Sequence, residues 1–153
     1  MSTEKQKSAA VELLSFRVGE QEYSVDIMSV REIRGWTRAT TLPHSPAYVR
    51  GVINLRGTVL PVIDLATRLG LPRGQVTDRN VIIVVDIAGR TVGLLVEAVS
   101  DILTVPQDDL APPPSLAADE AQTFIKALTI VDGRMIRVLD LSSVMPTAAT
   151  IAA

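Results

Sequence analysis

Moved along itself by 76 residues, the chain superposes Tyr48-Val-Arg-Gly-Val-Ile-Asn-Leu-Arg-Gly-Thr-Val-Leu-Pro-Val-Ile-Asp-Leu65 on Phe124-Ile-Lys-Ala-Leu-Thr-Ile-Val-Asp-Gly-Arg-Met-Ile-Arg-Val-Leu-Asp-Leu141 without a gap. Gly57 meets Gly133, Val62 meets Val138, Asp64 meets Asp140 and Leu65 meets Leu141. A shift of 69 matches Tyr23 with Val92, Val25 with Leu94, Ile27 with Val96, Val30 with Val99 and Ile33 with Ile102. The seven-residue difference falls in a proline-containing loop of the second half. One unit is therefore used twice, roughly over 13–72 and 80–145, within a single domain spanning 13–145. Each unit alone is too small to bury its apolar faces. The two are expected to pack over a shared core and to leave a groove where they meet, a natural docking place.

The elements inside the unit are strands. Leu13 to Val18, Gly19, and Tyr23 to Ile27 alternate apolar and polar positions as a hairpin does. Val30 to Trp36 keeps that alternation. Gly51 to Leu65 reads as two apolar strands around the turn at Arg56-Gly57, where glycine supplies positive φ. Val81 to Val85, Thr91 to Val96, Val99 to Val105, Phe124 to Val131 and Met135 to Leu139 complete the set. Helix is confined to a turn at Ala47–Arg50, a short piece from Leu65 to Leu69 capped by Asp64, and an equivalent cap at Asp140. Pro106 to Ala121, with Pro112-Pro-Pro114, reads as a surface loop. The expected fold is all-β, about ten to twelve short strands of sandwich or barrel type with few short helices, the two units packing around a shared aliphatic core. Residues 1–12 and 146–153 read as tails.

Composition narrows the function. Hydrophobic residues make up 47% of the 153, but aromatics only 3%, so the core must be built from Val, Ile and Leu. A net charge of −2, a pI near 5.4 and five aromatic residues argue against a nucleic-acid binder or an anionic-membrane binder. The absence of cysteine excludes disulfides, thiol catalysis and cysteine metal sites. No apolar signal segment follows the polar N-terminus, and no run approaches the roughly 18 apolar residues of a membrane span. A soluble, cytoplasmic protein is expected.

Few side chains suggest chemistry. His44 is the only histidine, so neither a histidine metal cluster nor a triad can form, and its place between Pro43 and Pro46 reads as an exposed loop. Asp64 and Asp140 resemble an acid–base pair, but their matching repeat positions make them the same helix cap built twice. No glycine-rich phosphate loop is present, and no metal or cofactor is expected. Trp36, among Arg31, Glu32, Arg34 and Arg38, reads either as part of a strand with a solvated polar face or as an aromatic anchor on an exposed edge. Asn54 reads as a turn-bonding or a recognition residue. Arg56 is the informative one. Gly57 and Gly133 recur as structural turn residues, whereas Arg56 is matched by Asp132. That difference favours a role outside the fold over a local salt bridge.

Tyr23-Ser-Val-Asp-Ile27, Val30-Arg-Glu-Ile-Arg-Gly35, Pro46-Ala-Tyr-Val-Arg-Gly-Val-Ile-Asn-Leu-Arg-Gly57, Val62-Ile-Asp-Leu65 and Val92-Gly-Leu-Leu-Val-Glu-Ala-Val-Ser-Asp-Ile102 together resemble the CheW family of chemotaxis coupling proteins, from about Leu13 to Met145. The resemblance implies a fold of two small five-stranded β-barrel subdomains around a common core, and an adaptor rather than an enzyme. Such an adaptor links the cytoplasmic tips of methyl-accepting chemoreceptors to the regulatory domain of the histidine kinase CheA, with no nucleic acid and no direct membrane contact. It implies receptor-coupling roles for Val30, Glu32, Gly51, Arg56, Val81 and Ile102, beside which Asn54 stands as a further candidate. Receptor tips are helical hairpins, which suits docking in a groove. Ala127 departs from the family's usual glycine. A scaffold of a chemosensory pathway not serving motility is the alternative within the family; a small-barrel nucleic-acid binder and an Asp64/Asp140 hydrolase are the alternatives outside it.

Overall fold

The structure is a computed structural model and describes residues 9–72, 76–113 and 124–146. Ten strands carry the chain: β1 Ala10–Val18, β2 Gln21–Asp26, β3 Val30–Gly35, β4 Val49–Leu55, β5 Thr58–Asp64, β6 Val81–Ile87, β7 Arg90–Val96, β8 Ala98–Pro106, β9 Ile125–Val131 and β10 Arg134–Leu139. Two four-residue helices follow β5 and β10: α1 Leu65–Arg68 and α2 Leu141–Val144. One sheet has the order β3-β6-β7-β5-β4 and the other β8-β1-β2-β10-β9.

The repeat holds residue by residue. Asn54 faces Val59, Ile53 faces Leu60 and Gly51 faces Val62 across β4 and β5; 76 residues later Ile130 faces Met135, Thr129 faces Ile136 and Ala127 faces Val138. Both hairpins carry an irregularity at the same place, at Arg50 and at Lys126. The two parallel contacts, β5 with β7 and β10 with β2, are equivalent in the same way. Even the link closing each unit repeats, from Asp64 N–H to the Tyr48 carbonyl and from Asp140 N–H to the Phe124 carbonyl, both 2.7 Å.

The sheets do not follow the halves 13–72 and 80–145, and this corrects the expected subdomains. One sheet is the continuous run β3 to β7; the other joins β1 and β2 to β8, β9 and β10. Each copy of the unit gives its first hairpin to the sheet of the other copy. A hairpin presents the same apolar faces and register to either sheet, so the hydrophobic pattern is satisfied both ways. Nor are the sheets closed barrels. Among the described residues the gap between edge strands is crossed in each sheet by an isolated bridge, Thr40 to Val52 and Ala111 to Leu128.

Curling gives each sheet its own interior. Ile53, Leu60, Val62, Ile82, Val84 and Leu95 fill one, and Leu13, Val105, Ala127 and Val138 the other. A larger cluster, with Phe16, Tyr23, Ile63, Ile83, Val85 and Leu94 among its members, fills the space between the sheets. Successive residues of β6 therefore point into two different cores: Ile82 and Val84 inward, Ile83 and Val85 toward the second sheet. This is why Val81–Val85 is an unbroken apolar run, since a strand buried on both faces has no polar side to show. Each fully buried Ile or Leu here contributes about 1.5–3 kcal/mol.

Several local expectations shift. β1 begins at Ala10, inside the stretch read as a tail. Ala47 and Tyr48 form a turn closed by Val49 N–H to the Pro46 carbonyl, and Val49 and Arg50 already belong to β4, so no helical turn forms there. Pro106 ends β8, Gln107–Asp109 is a 3-10 turn, and Ala111 pairs with β9, so this segment is more ordered than a plain loop. The remainder of that loop, 114–121, and the tails 1–8 and 147–153 lie outside the described residues.

Candidate functional site

Arg56 and Asp132 open equivalent two-residue turns, with φ of 50° and 52°, followed by Gly57 at 84° and Gly133 at 77°. Positive φ at both central residues is the hairpin geometry that favours Asn, Asp and Gly. Asp132 suits it; an arginine gains nothing from it. Ala88 takes the same conformation in the β6–β7 turn, so strain alone does not single Arg56 out. Its partner does. The Arg56 guanidinium reaches across from the β4–β5 turn to Glu32 on β3, with Nη2 2.5 Å from Oε2 and Nη1 3.5 Å from Oε1. The local salt bridge, the less favoured of the two readings, is therefore present, although the Arg56 side chain stays 70% exposed.

The pair is electrostatically self-consistent. The hydrogen bond from Arg56 holds the Glu32 carboxyl below the usual carboxylate range, against a smaller opposing effect of desolvation, and the charges of Arg56 and Arg34 add to it. Arg56 is raised in turn by the same hydrogen bond and by the Glu32 charge. In the second copy the equivalent positions are Asp101 and Asp132, two acids that cannot pair. The pair is built into one sheet only.

The other expected residues take different places. Asn54 accepts from Gly57 N–H at 3.0 Å, the turn-bonding role. Gly51 is buried with φ 146°, and a Cβ there would lie 2.2 Å from the Thr40 carbonyl oxygen. Ala127, its counterpart, keeps the equivalent bridge without positive φ. Val30 and Val81 are half-buried against the cluster between the sheets. Ile102 is exposed on β8, the edge strand of the other sheet. The structure thus brings Glu32 and Arg56 together, while Ile102 belongs to the second sheet. Ile33, not among the residues expected from sequence, is likewise exposed on edge strand β3, and the 69-residue shift makes it the partner of Ile102.

Trp36 packs half-buried against the apolar cluster inside its sheet, and so is not a free anchor. His44 is exposed with φ 62°. Asp64 accepts from Thr67 N–H at 3.3 Å and Asp140 from Ser142 N–H at 3.1 Å, so both cap helices as expected. Among the described residues no group of three or more potential ligands converges as for a metal, and no helix is long and apolar enough to cross a membrane.

The CheW-like domain family matches residues 12–149. This chain belongs to that family. A chemotaxis protein CheW from Rhizobium meliloti is 55% identical over 136 residues, covering 89% of this chain and 88% of that one. A probable chemotaxis protein CheW from Rhizobium etli is 54% identical, covering 86% and 85%. The crystal structure of the scaffolding protein TtCheW from Thermoanaerobacter tengcongensis superposes with a TM-score of 0.85 at 29% identity, covering 94% of this chain and 97% of that one. The chain thus shares the fold of that scaffold structure over almost its whole length.

Proposed function

We propose that this protein is a non-enzymatic adaptor of bacterial chemotaxis. It couples the cytoplasmic tips of methyl-accepting chemoreceptors to the regulatory domain of the histidine kinase CheA and lets receptor state bias kinase activity. The observation that carries the reading is the family match over almost the whole chain, at 55% identity to a chemotaxis protein CheW. The geometry supports it: Arg56 and Glu32 form an exposed ion pair at the edge of one sheet, and Ile33 and Ile102 are exposed on edge strands, an arrangement suited to gripping a protein rather than turning over a substrate. The adaptor works in the cytoplasm and reaches receptor arrays at the membrane through its partners.

Val30, Glu32, Arg56, Val81 and Ile102 form the receptor-contacting set in this reading. Arg56 and Glu32 supply the polar part, and Ile102 an exposed apolar contact on the second sheet. Asn54 and Gly51 act through geometry, one by shaping the turn that carries Arg56 and the other by letting Thr40 approach β4. Cosedimentation of the protein with a receptor signalling fragment and the kinase, with kinase activity as readout, tests the proposal. A ternary complex with receptor-controlled phosphorylation is expected; no complex at micromolar protein would overturn it.

A further inference from the structure

Arg68 is the last residue of α1, in the sheet of β3 to β7, yet its hydrogen bonds cross to the other sheet. Its Nε donates to the Val144 carbonyl and its Nη2 to the Ser143 carbonyl, each at 3.0 Å, at the end of α2. Its guanidinium carbon lies 4.1 Å from the Tyr48 ring centre and 5.0 Å from the Phe124 ring centre. Tyr48 and Phe124 are the same position in the two copies, and the counterpart of Arg68 is Val144, one of its own acceptors. A single arginine therefore sits where the two copies meet and serves both. Arg90, first residue of β7, adds a bond from its Nη2 to the Pro146 carbonyl. Val144, Met145 and Pro146 are buried.

The last carbonyls of a helix have no partner within it and must find donors elsewhere. Here Arg68, from the helix that follows β5, supplies donors to two of them, with the sign the helix end favours, and Arg90 serves the Pro146 carbonyl just beyond the helix. Much of the remaining contact between the sheets is aliphatic packing, which is non-directional. Planar guanidinium groups with fixed donor directions, one of them also packed against two rings, set an orientation that aliphatic contact alone leaves soft.

We infer that Arg68 and Arg90 are positioning residues that fix the setting of one sheet against the other, and so the spacing of the proposed receptor contacts on β3 and β8. The inference rests on the adaptor reading, because a partner that touches Glu32 on one sheet and Ile102 on the other reads that spacing. Neither arginine is among the proposed contacts, so loss of coupling would come through geometry.

The chain has no cysteine, which makes the measurement direct. Val59 and Ile130, both exposed and one on each sheet, are replaced by cysteine and spin-labelled for distance measurement. In the Arg68→Met/Arg90→Met variant the distance distribution is expected to broaden, and amide exchange over 142–145 to rise about tenfold, while β6 and β7 stay protected. Ternary assembly with receptor fragment and kinase is expected to weaken in parallel. Arg68→Lys keeps a cation between the rings but loses the two-donor fork; it is expected to broaden the distribution by less, and it carries the test if the double variant does not fold. An unchanged distribution in the folded variant overturns the inference, as does a broadened one with undiminished assembly. Failure of the unsubstituted protein to assemble overturns the adaptor reading instead, while the distance measurement still judges the role of Arg68 and Arg90.

Discussion

Glu32 and Arg56 stand at opposite edges of one five-stranded sheet, β3 and the end of β4, yet their side chains meet at 2.5 Å. That contact is possible only because the sheet curls around its own core until the edges approach. Backbone pairing crosses the gap in an isolated bridge, and the ion pair spans it a second time. Both groups reach solvent, so the pair adds little to stability and remains available to a partner. Arg56→Ala is expected to fold, with a thermal midpoint within about 3 °C of the parent, and to assemble with receptor and kinase at least about tenfold more weakly. The charge-swapped variant Glu32→Arg/Arg56→Glu should regain the midpoint without regaining assembly. A fall of many degrees for Arg56→Ala would instead mark the arginine as a structural tie.

The lowered pKa of Glu32 gives that pair a pH signature. A carboxyl whose folded pKa is depressed contributes stability above its unfolded pKa and loses it as pH falls through the folded value. The small difference in thermal midpoint between parent and Glu32→Gln should therefore be constant around neutral pH, shrink below the ordinary carboxylate range and vanish in stronger acid. Added salt should shrink it at neutral pH as well. A difference that grows on acidification would contradict the assigned pair.

Gly51 presents the opposite case, a proposed site residue whose demands are steric. A Cβ would stand 2.2 Å from the oxygen and 2.6 Å from the carbon of the Thr40 carbonyl group, and φ 146° is open to glycine alone. Backbone atoms cannot swing aside as a side-chain tip can. Gly51→Ala should cost on the order of 2–4 kcal/mol, seen as a lowered denaturation midpoint with unchanged slope. Any loss of receptor coupling in that variant should be recovered where the folded fraction is restored, for example by a stabilising osmolyte. Persistent loss in fully folded protein would assign Gly51 a direct contact.

The repeat made much of this fold legible. Pairing Gly57 with Gly133 and Asp64 with Asp140 already implied the equivalent turns, registers and caps that the two hairpins show. It could not reveal which sheet receives β1 and β2, because their alternation fits either copy, and the choice is made by tertiary packing. The same limit hid the site. Arg56 stood out because Asp132 does not match it, but Glu32 lies 24 residues away along the chain. Only the curl of the sheet brings them together. Ile33 is legible only in part: the 69-residue shift pairs it with Ile102, but which face of β3 is exposed depends on the curl of the sheet.

The two caps, equal by sequence, should differ in cost. Asp64 is 5% exposed and, besides Thr67 N–H, accepts from Arg50 Nε at 3.2 Å; the Arg50 side chain is 25% exposed. Asp140 is half-buried and accepts from Ser142 N–H and from the Ser143 hydroxyl, groups that water can replace. Losing an N-cap costs about 1 kcal/mol in either helix. Asp64→Ala in addition leaves the partly buried Arg50 guanidinium without that acceptor, a further loss of about 1–2 kcal/mol. Urea denaturation should therefore rank Asp64→Ala below Asp140→Ala by at least about 1 kcal/mol, and Arg50→Met/Asp64→Ala should cost less than the two single changes added together. Equal costs for the two caps would mean that Arg50 draws no stability from Asp64 and that burial of the carboxylate is the only difference between them.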